Sequence, residues 1–325
     1  MTSGISGEEK TGENMSGLDY INRIIAAVGE KKVLRNEEMS RHTTFRIGGP
    51  ADCLVQPENA GELREILRIC REEDVPYFIL GNGSNLLVSD SGYRGLIIQL
   101  FRNMSGIEID GDIITAQTGS LLTQIASAAA GAELTGFEFA SGIPGTLGGA
   151  CVMNAGAYGG EMKDVLVSVT AMDREGRILT IDRDDLDLGY RHSALMDGGY
   201  IVLSAKMKLS HGEPEQIKML MDDLRQRRTS KQPLDLPSAG STFKRPTGYF
   251  AGKLIQDAGL RGYSVGGAQV SEKHCGFVVN TGEATAGDVF RLIRHVQAEI
   301  KKDFGVDLQT EVRFLGEFDS EGDRA

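Results

Sequence analysis

The chain lacks any excess of positive charge. Its 35 Lys and Arg are outnumbered by 46 Asp and Glu, giving a formal net charge of -11 over 325 residues. That balance argues against nucleic acid or an anionic membrane as the main partner. Cysteine is scarce. Cys53, Cys70, Cys151 and Cys275 lie far apart with no C-x-x-C pair, so neither a disulfide framework nor a structural zinc is expected. Reduced thiols in a cytoplasmic protein are the expectation. The five histidines show no ligand clustering, and His211 and His295 are expected to face water, so no metal is expected. No apolar run reaches membrane-spanning length. Residues 1–17 are polar, without an apolar signal core, and are expected to form a disordered tail.

Two nucleotide-binding signatures are also missing. Gly81 and Gly83 open a G-x-G-x-x-G pattern, but Leu86 stands where the third glycine belongs. No G-x-x-x-x-G-K-[ST] run exists either. Neither a Rossmann nor a Walker site is supported. Glycine itself is abundant, at 42 residues, about double the usual fraction. Much of the surplus lies in Gly81-Asn82-Gly83-Ser84-Asn85-Leu86 and in Gly142-Ile143-Pro144-Gly145-Thr146-Leu147-Gly148-Gly149, which runs on to Asn154, Gly156 and Tyr158. Such loops let successive backbone N–H groups converge on an anion. Two of them suit an extended cofactor with two phosphates. A Gly-Asn-Gly turn alone is ordinary turn chemistry, whereas a proline followed by Gly148-Gly149 is more specific.

The remaining patterns are α+β in character. Helices are expected over Leu18 to Val28, Gly61 to Glu73, Leu121 to Ala130, a charged stretch ending near Arg228, Phe250 to Gln256 and Ala286 to Lys302. Strands are expected at Tyr77 to Leu80, Leu96 to Leu100, Tyr200 to Leu209, Gly276 to Asn280 and Leu308 to Leu315. Hairpins should turn at Asp110-Gly111-Asp112 and at Asp173-Arg174-Glu175-Gly176. A domain boundary is placed at 213, after the strand ending near Leu209. Residues 18–212 then form a first region split near 102, residues 213–317 a second, and residues 318–325 a tail.

In the second region, Ala239-Gly240-Ser241-Thr242-Phe243-Lys244 puts a hydroxyl beside a glycine and a cation. No His-Asp pair adjoins it, so a hydrolase triad has little support. Taken alone it reads equally as a loop with a capping serine. Arg191, Arg228, Lys231, Lys244 and Lys253 are the cations available to a small anionic ligand.

Taken in order, Thr43-Thr44-Phe45-Arg46-Ile47-Gly48-Gly49-Pro50, the two Gly loops, Gly189-Tyr190-Arg191, Ala239 to Lys244, Gly266-Gly267-Ala268 and Glu311-Val312-Arg313-Phe314 resemble the UDP-N-acetylenolpyruvoylglucosamine reductase family. The resemblance covers roughly Val33 to Gly316. It implies a two-part FAD-binding region of the vanillyl-alcohol-oxidase type and a C-terminal α/β substrate-binding domain. It implies non-covalent FAD, NADPH as co-substrate, and reduction of a UDP-sugar enolpyruvyl ether in peptidoglycan precursor synthesis by a monomer. By resemblance, Arg191 and Glu311 stabilise an enolate-like charge and Ser241 delivers the proton. Gly81 to Leu86, Gly142, Ile143, Pro144, Gly145, Gly148, Gly149, Asn154 and Gly156 would hold FAD. Arg228, Lys231, Lys244, Lys253 and Tyr158 would meet substrate. The spacing after Tyr190 is that of the family's shorter, type II branch. Arg245 departs from the asparagine of type I relatives. Two other classes stay open from the residues: an FAD-linked oxidase of the same fold, and a non-catalytic sugar-nucleotide binder.

Overall fold

A computed structural model describes residues 16–318, so the expected N-terminal tail lies almost wholly outside it. Helix Ser16–Val28 buries Tyr20, Ile21, Ile24 and Val28 against helix Ala60–Glu72, whose Leu63, Ile66, Leu67 and Cys70 form the matching stripe. Spacing of three and four residues places these side chains on one face. Beside them lies a four-stranded sheet in the order Val33–Glu38, Pro50–Val55, Tyr93–Gln99, Tyr77–Leu80. Its first pair is antiparallel and the other two are parallel. Val33–Glu38 and Pro50–Val55 were not anticipated. Both lack alternating hydrophobicity, and Pro50 is tolerated because it begins its strand.

The second lobe is a five-stranded antiparallel sheet, ordered Ile178–Asp182, Leu166–Met172, Ile201–Lys208, Ile113–Gln117, Ile107–Asp110. Both expected hairpins are in it. The register between Leu166–Met172 and Ile201–Lys208 shifts at Thr170/Ala171. One extra residue reverses which face the next side chains take. Ile201 and Leu203 therefore join the core of the first lobe, while Ala205 and Met207 join the core beneath helices Leu122–Gly131 and Leu147–Met153.

Helix Pro214–Lys231, expected to open the C-terminal region, packs instead on Leu122–Gly131 and on the turn Glu138–Ala140 of the second lobe. Of its apolar residues Ile217 and Leu224 are buried, while Met219 and Leu220 are exposed. The C-terminal unit is a small sheet, Ser264–Val265, Ala268–Val270 and Val278–Asn280, with helices Ala251–Asp257 and Ala286–Phe304. Val289, Leu292, Ile293, Val296 and Ile300 face its core as their spacing requires. His295, expected in water, is half-buried and stacks on Tyr263 with ring centroids 4.3 Å apart.

Several contacts return this unit to the first lobe, among them one at the long helix and one at the closing strand. The Asp90 carboxylate accepts from the Ala286 and Gly287 N–H groups at 2.8 and 2.9 Å, capping the long helix with charge as well as hydrogen bonds. The closing strand, Arg313–Leu315, pairs in parallel with Leu86–Val88. Phe318, placed in the tail from sequence, packs instead on Phe290 and Phe314. Residues 319–325 lie outside the described chain.

Candidate active site

A cavity of about 1000 Å³ is walled by both Gly loops, by the second-lobe sheet and by the C-terminal unit. Gly81, Asn82, Gly83, Ser84, Asn85 and Leu86 all line it, as do Ile143, Pro144, Gly145, Gly148, Gly149 and Gly156. Gly83 has φ +63°, and a Cβ there would lie 2.0 Å from the His42 carbonyl oxygen. Only glycine lets the loop close so tightly. The Asn82 side chain then donates to the Pro144 carbonyl at 2.6 Å, joining one loop to the other. Among the described residues, the backbone N–H groups of Asn82, Gly83 and Ser84 have no backbone acceptor, the arrangement that suits an anion.

These residues fit a phosphate-bearing cofactor. A Cβ on Gly145 or Gly149 would meet no protein atom nearer than 3.8 Å. Both glycines border the cavity, so the room they leave belongs to what binds there.

The three expected catalytic residues reach the same cavity from two different lobes. Residues Thr242 to Lys244 run beside Gln309 to Glu311. The Glu311 N–H donates to the Thr242 carbonyl at 2.8 Å, and the Lys244 N–H to that of Gln309 at 2.8 Å. Ser241 and Glu311 are thereby set on adjacent segments, joined by the isolated bridge Phe243–Thr310. Arg191 comes from the second lobe, on a turn closed by Gly189 and His192. Its φ of +55° is a left-handed conformation that a non-glycine residue adopts at a cost. Arg191 Nε lies 2.5 Å from Glu311 Oε1, and both side chains are mostly buried. Burial pushes the Glu311 carboxyl above the usual carboxylate range, against the opposing pull of Arg191 and Lys244. Desolvation outweighs the ion pair here, so the carboxyl keeps its proton to higher pH than an ordinary glutamate.

Asn85 fastens this group to the first Gly loop. Its side-chain amide donates to the Glu311 carbonyl at 3.0 Å, and its carbonyl accepts from the Arg313 N–H at 3.1 Å.

Several expected contacts fall elsewhere. Asn154, assigned to FAD, is completely buried and does not line the cavity. Its amide donates to the Gly189 carbonyl at 2.9 Å and to Glu161 at 2.7 Å, and its oxygen accepts from the Lys163 N–H at 2.9 Å. It braces the turn that carries Arg191. Gly142, also assigned to FAD, makes room for Arg228, whose Cδ would lie 2.9 Å from an added Cβ. Lys253 pairs with Asp257 on an exposed helix face, and Lys231 is exposed; neither lines the cavity. Lys244 and Tyr158 do not line the cavity, though each is near enough to act electrostatically, on Glu311 and Arg228 respectively. Of the five residues expected to meet substrate, only Arg228 borders the cavity. Burial lowers its pKa, and it has no acidic partner among the described residues.

Sequence reasoning missed Gln232, which also lines the cavity. One polar residue past a helix end carries no signal of its own.

A cavity of this size between two Gly loops, with an acid, a guanidinium and a hydroxyl in its wall, fits the class of FAD-dependent oxidoreductases, to which comparison with known proteins assigns the chain. Residues 51–182 match the FAD binding domain model, and residues 232–315 match the model for the UDP-N-acetylenolpyruvoylglucosamine reductase C-terminal domain. A UDP-N-acetylenolpyruvoylglucosamine reductase of Clostridioides difficile is 53% identical over 93% of this chain and 100% of its own length. One from Agathobacter rectalis is 52% identical over 92% of this chain and 99% of its own. The crystal structure of the Thermus caldophilus reductase superposes with a TM-score of 0.76 at 36% identity, covering 87% of this chain and 99% of that one. The chain belongs to the UDP-N-acetylenolpyruvoylglucosamine reductase family. The expected fold class, an FAD-binding region followed by a C-terminal α/β domain, agrees with these matches.

Proposed function

We propose that this enzyme uses NADPH to reduce the enolpyruvyl ether of UDP-N-acetylglucosamine to UDP-N-acetylmuramate, a step of peptidoglycan precursor synthesis. The observation that carries the reading is the Arg191–Glu311 pair, drawn from two lobes into the wall that also holds Ser241. FAD held between the two Gly loops would, when reduced, supply a hydride. Addition of that hydride to the methylene carbon leaves negative charge on the α-carbon and its carboxylate. Arg191 offers a fixed cation to this charge, and protonated Glu311 offers a hydrogen-bond donor, so neither needs to reorganise as charge develops. Ser241 is exposed to the cavity and gives its proton to the α-carbon. A serine hydroxyl is a weak acid, but an enolate is basic enough to accept from it. Arg228 takes an anionic portion of the bound molecules.

The half-reactions separate these roles. Ser241→Ala is expected to leave flavin reduction by NADPH nearly intact while lowering turnover of the enolpyruvyl substrate about 10²–10⁴-fold. Stopped-flow absorbance in the flavin band reads both steps. A parallel loss in NADPH-driven reduction would make Ser241 structural. Rapid reoxidation by air, with no response to the enolpyruvyl ether, would favour an oxidase.

A further inference from the structure

Ser241 reaches the cavity from a segment held between two neighbours. On one side run residues Gln309 to Glu311, already described. On the other, Ser241 bridges Phe277, the Thr242 N–H donates to the Gly276 carbonyl at 2.8 Å, and the Val278 N–H donates to Thr242 Oγ1 at 3.0 Å. The position of the hydroxyl therefore depends on what fixes Gly276 and Phe277.

His274 does so. The Phe277 N–H donates to the His274 carbonyl at 2.9 Å, closing a turn over residues 274–277. Within that turn the Gly276 N–H donates to His274 Nδ1 at 3.1 Å. A side-chain acceptor for the N–H two residues on is the device by which Asn and Asp fix turns, and here an imidazole supplies it. The ring has little freedom to leave. An added Cβ on Gly276 would lie 2.9 Å from His274 Cε1, and one on Gly252, in the neighbouring helix, 3.3 Å from it. Its edge also meets Phe277, a lining residue of the cavity, with ring centroids 5.1 Å apart. Burial lowers the His274 pKa, so the ring is neutral at neutral pH and Nδ1 is free to accept. His274 itself does not line the cavity, so whatever it does there is done through Gly276 and Phe277.

We propose that His274 is a positioning residue for the protonation step: by accepting from the Gly276 N–H it fixes the segment against which the Ser241 hydroxyl is set. This rests on the reading of Ser241 as proton donor given above. A hydrogen bond of this kind contributes about 1 kcal/mol, and a displacement of about 1 Å at a reacting group can cost about 10²-fold in rate.

Asparagine and leucine side chains share one branched outline and differ in whether it carries an acceptor, so the two substitutions at position 274 isolate the hydrogen bond. In FAD-loaded enzyme, His274→Asn should be reoxidised by the enolpyruvyl ether at nearly the parent rate, and His274→Leu about tenfold more slowly. Flavin reduction by NADPH, and the enolpyruvyl ether concentration giving half the limiting rate, should be unchanged in both, because neither draws on the Ser241 proton. Stopped-flow flavin absorbance reads all of these. Where His274→Leu loses its FAD or does not fold, His274→Ala makes the same comparison without the bulk. Equal reoxidation rates with and without the acceptor overturn the proposal, as does a loss shared in proportion by the NADPH step. A parent enzyme that NADPH reduces and the enolpyruvyl ether does not reoxidise overturns the functional reading, and the role of His274 with it.

Discussion

The two Gly loops look alike in sequence, yet their glycines serve different purposes. In the first loop, Gly83 is needed by the protein itself, because its left-handed backbone presses against the His42 carbonyl. Gly142 and Gly148 of the second loop likewise make room for Arg228 and Thr118. Gly145 and Gly149, by contrast, border the cavity, and a Cβ on either would meet protein only at ordinary contact distances of 3.8 Å or more. A glycine-rich segment is therefore a mixture of folding devices and ligand space, told apart by what an added methyl would strike.

The sharpest way to break that distinction is a pair of alanines. Gly83→Ala combines an unfavourable φ with a Cβ only 2.0 Å from a backbone oxygen, and should cost more than about 3 kcal/mol in stability. Gly145→Ala should leave apo stability unchanged or raise it by about 0.4–1 kcal/mol, while weakening FAD more than about tenfold by filling its space. Melting temperatures and FAD titrations on both variants decide the matter. Equal stability losses would show that the two glycines serve the same purpose.

Asn154 offers a smaller, more selective test, because it is a brace mistaken for a contact. Asn154→Gly keeps the left-handed backbone and removes the amide that holds the Arg191 turn. Substrate-driven flavin reoxidation should slow about tenfold, with FAD affinity preserved. The same change in an Arg191→Met background should add almost nothing, since the two act through one guanidinium. Independent, additive losses in stopped-flow traces would mean that Asn154 acts elsewhere, and a matching fall in FAD affinity would restore it as a cofactor contact.

The smallest effect expected is on pH dependence. Glu311 has its pKa raised by burial, so the native state holds this proton to higher pH than the unfolded chain. Stability from this group is then complete below the ordinary glutamate range. It is lost as pH rises toward the folded value. Relative to Glu311→Gln, the parent should lose melting temperature as pH rises from 4 to 8. A parent that gains on the variant over that span would show the Arg191 ion pair outweighing desolvation.

Much of this architecture was legible beforehand, wherever one element carried its own signal. The stripe in helix Ala286–Phe304 and the hairpin turns at Asp110-Gly111-Asp112 and Asp173 to Gly176 read correctly as local features. Strands Val33–Glu38 and Pro50–Val55 did not, because pairing and not pattern makes them strands. Helix Pro214–Lys231 was read with the wrong neighbour, since its few apolar residues name no partner.

The sequence by itself determined the composition of the cavity wall: glycines where backbone must close tightly, and a serine, an arginine and a glutamate in recognisable segments. It also determined the helices and turns, because those depend on residues a few positions apart. Tertiary structure alone decided which cations border the cavity and which face water. It placed Arg191 2.5 Å from a carboxyl 120 positions away, made Asn154 a brace, and left Gln232 Oε1 without a partner. The physical reason is range. Propensity and spacing act within a few residues, whereas burial, desolvation and an unmet hydrogen bond exist only once distant segments share the same space.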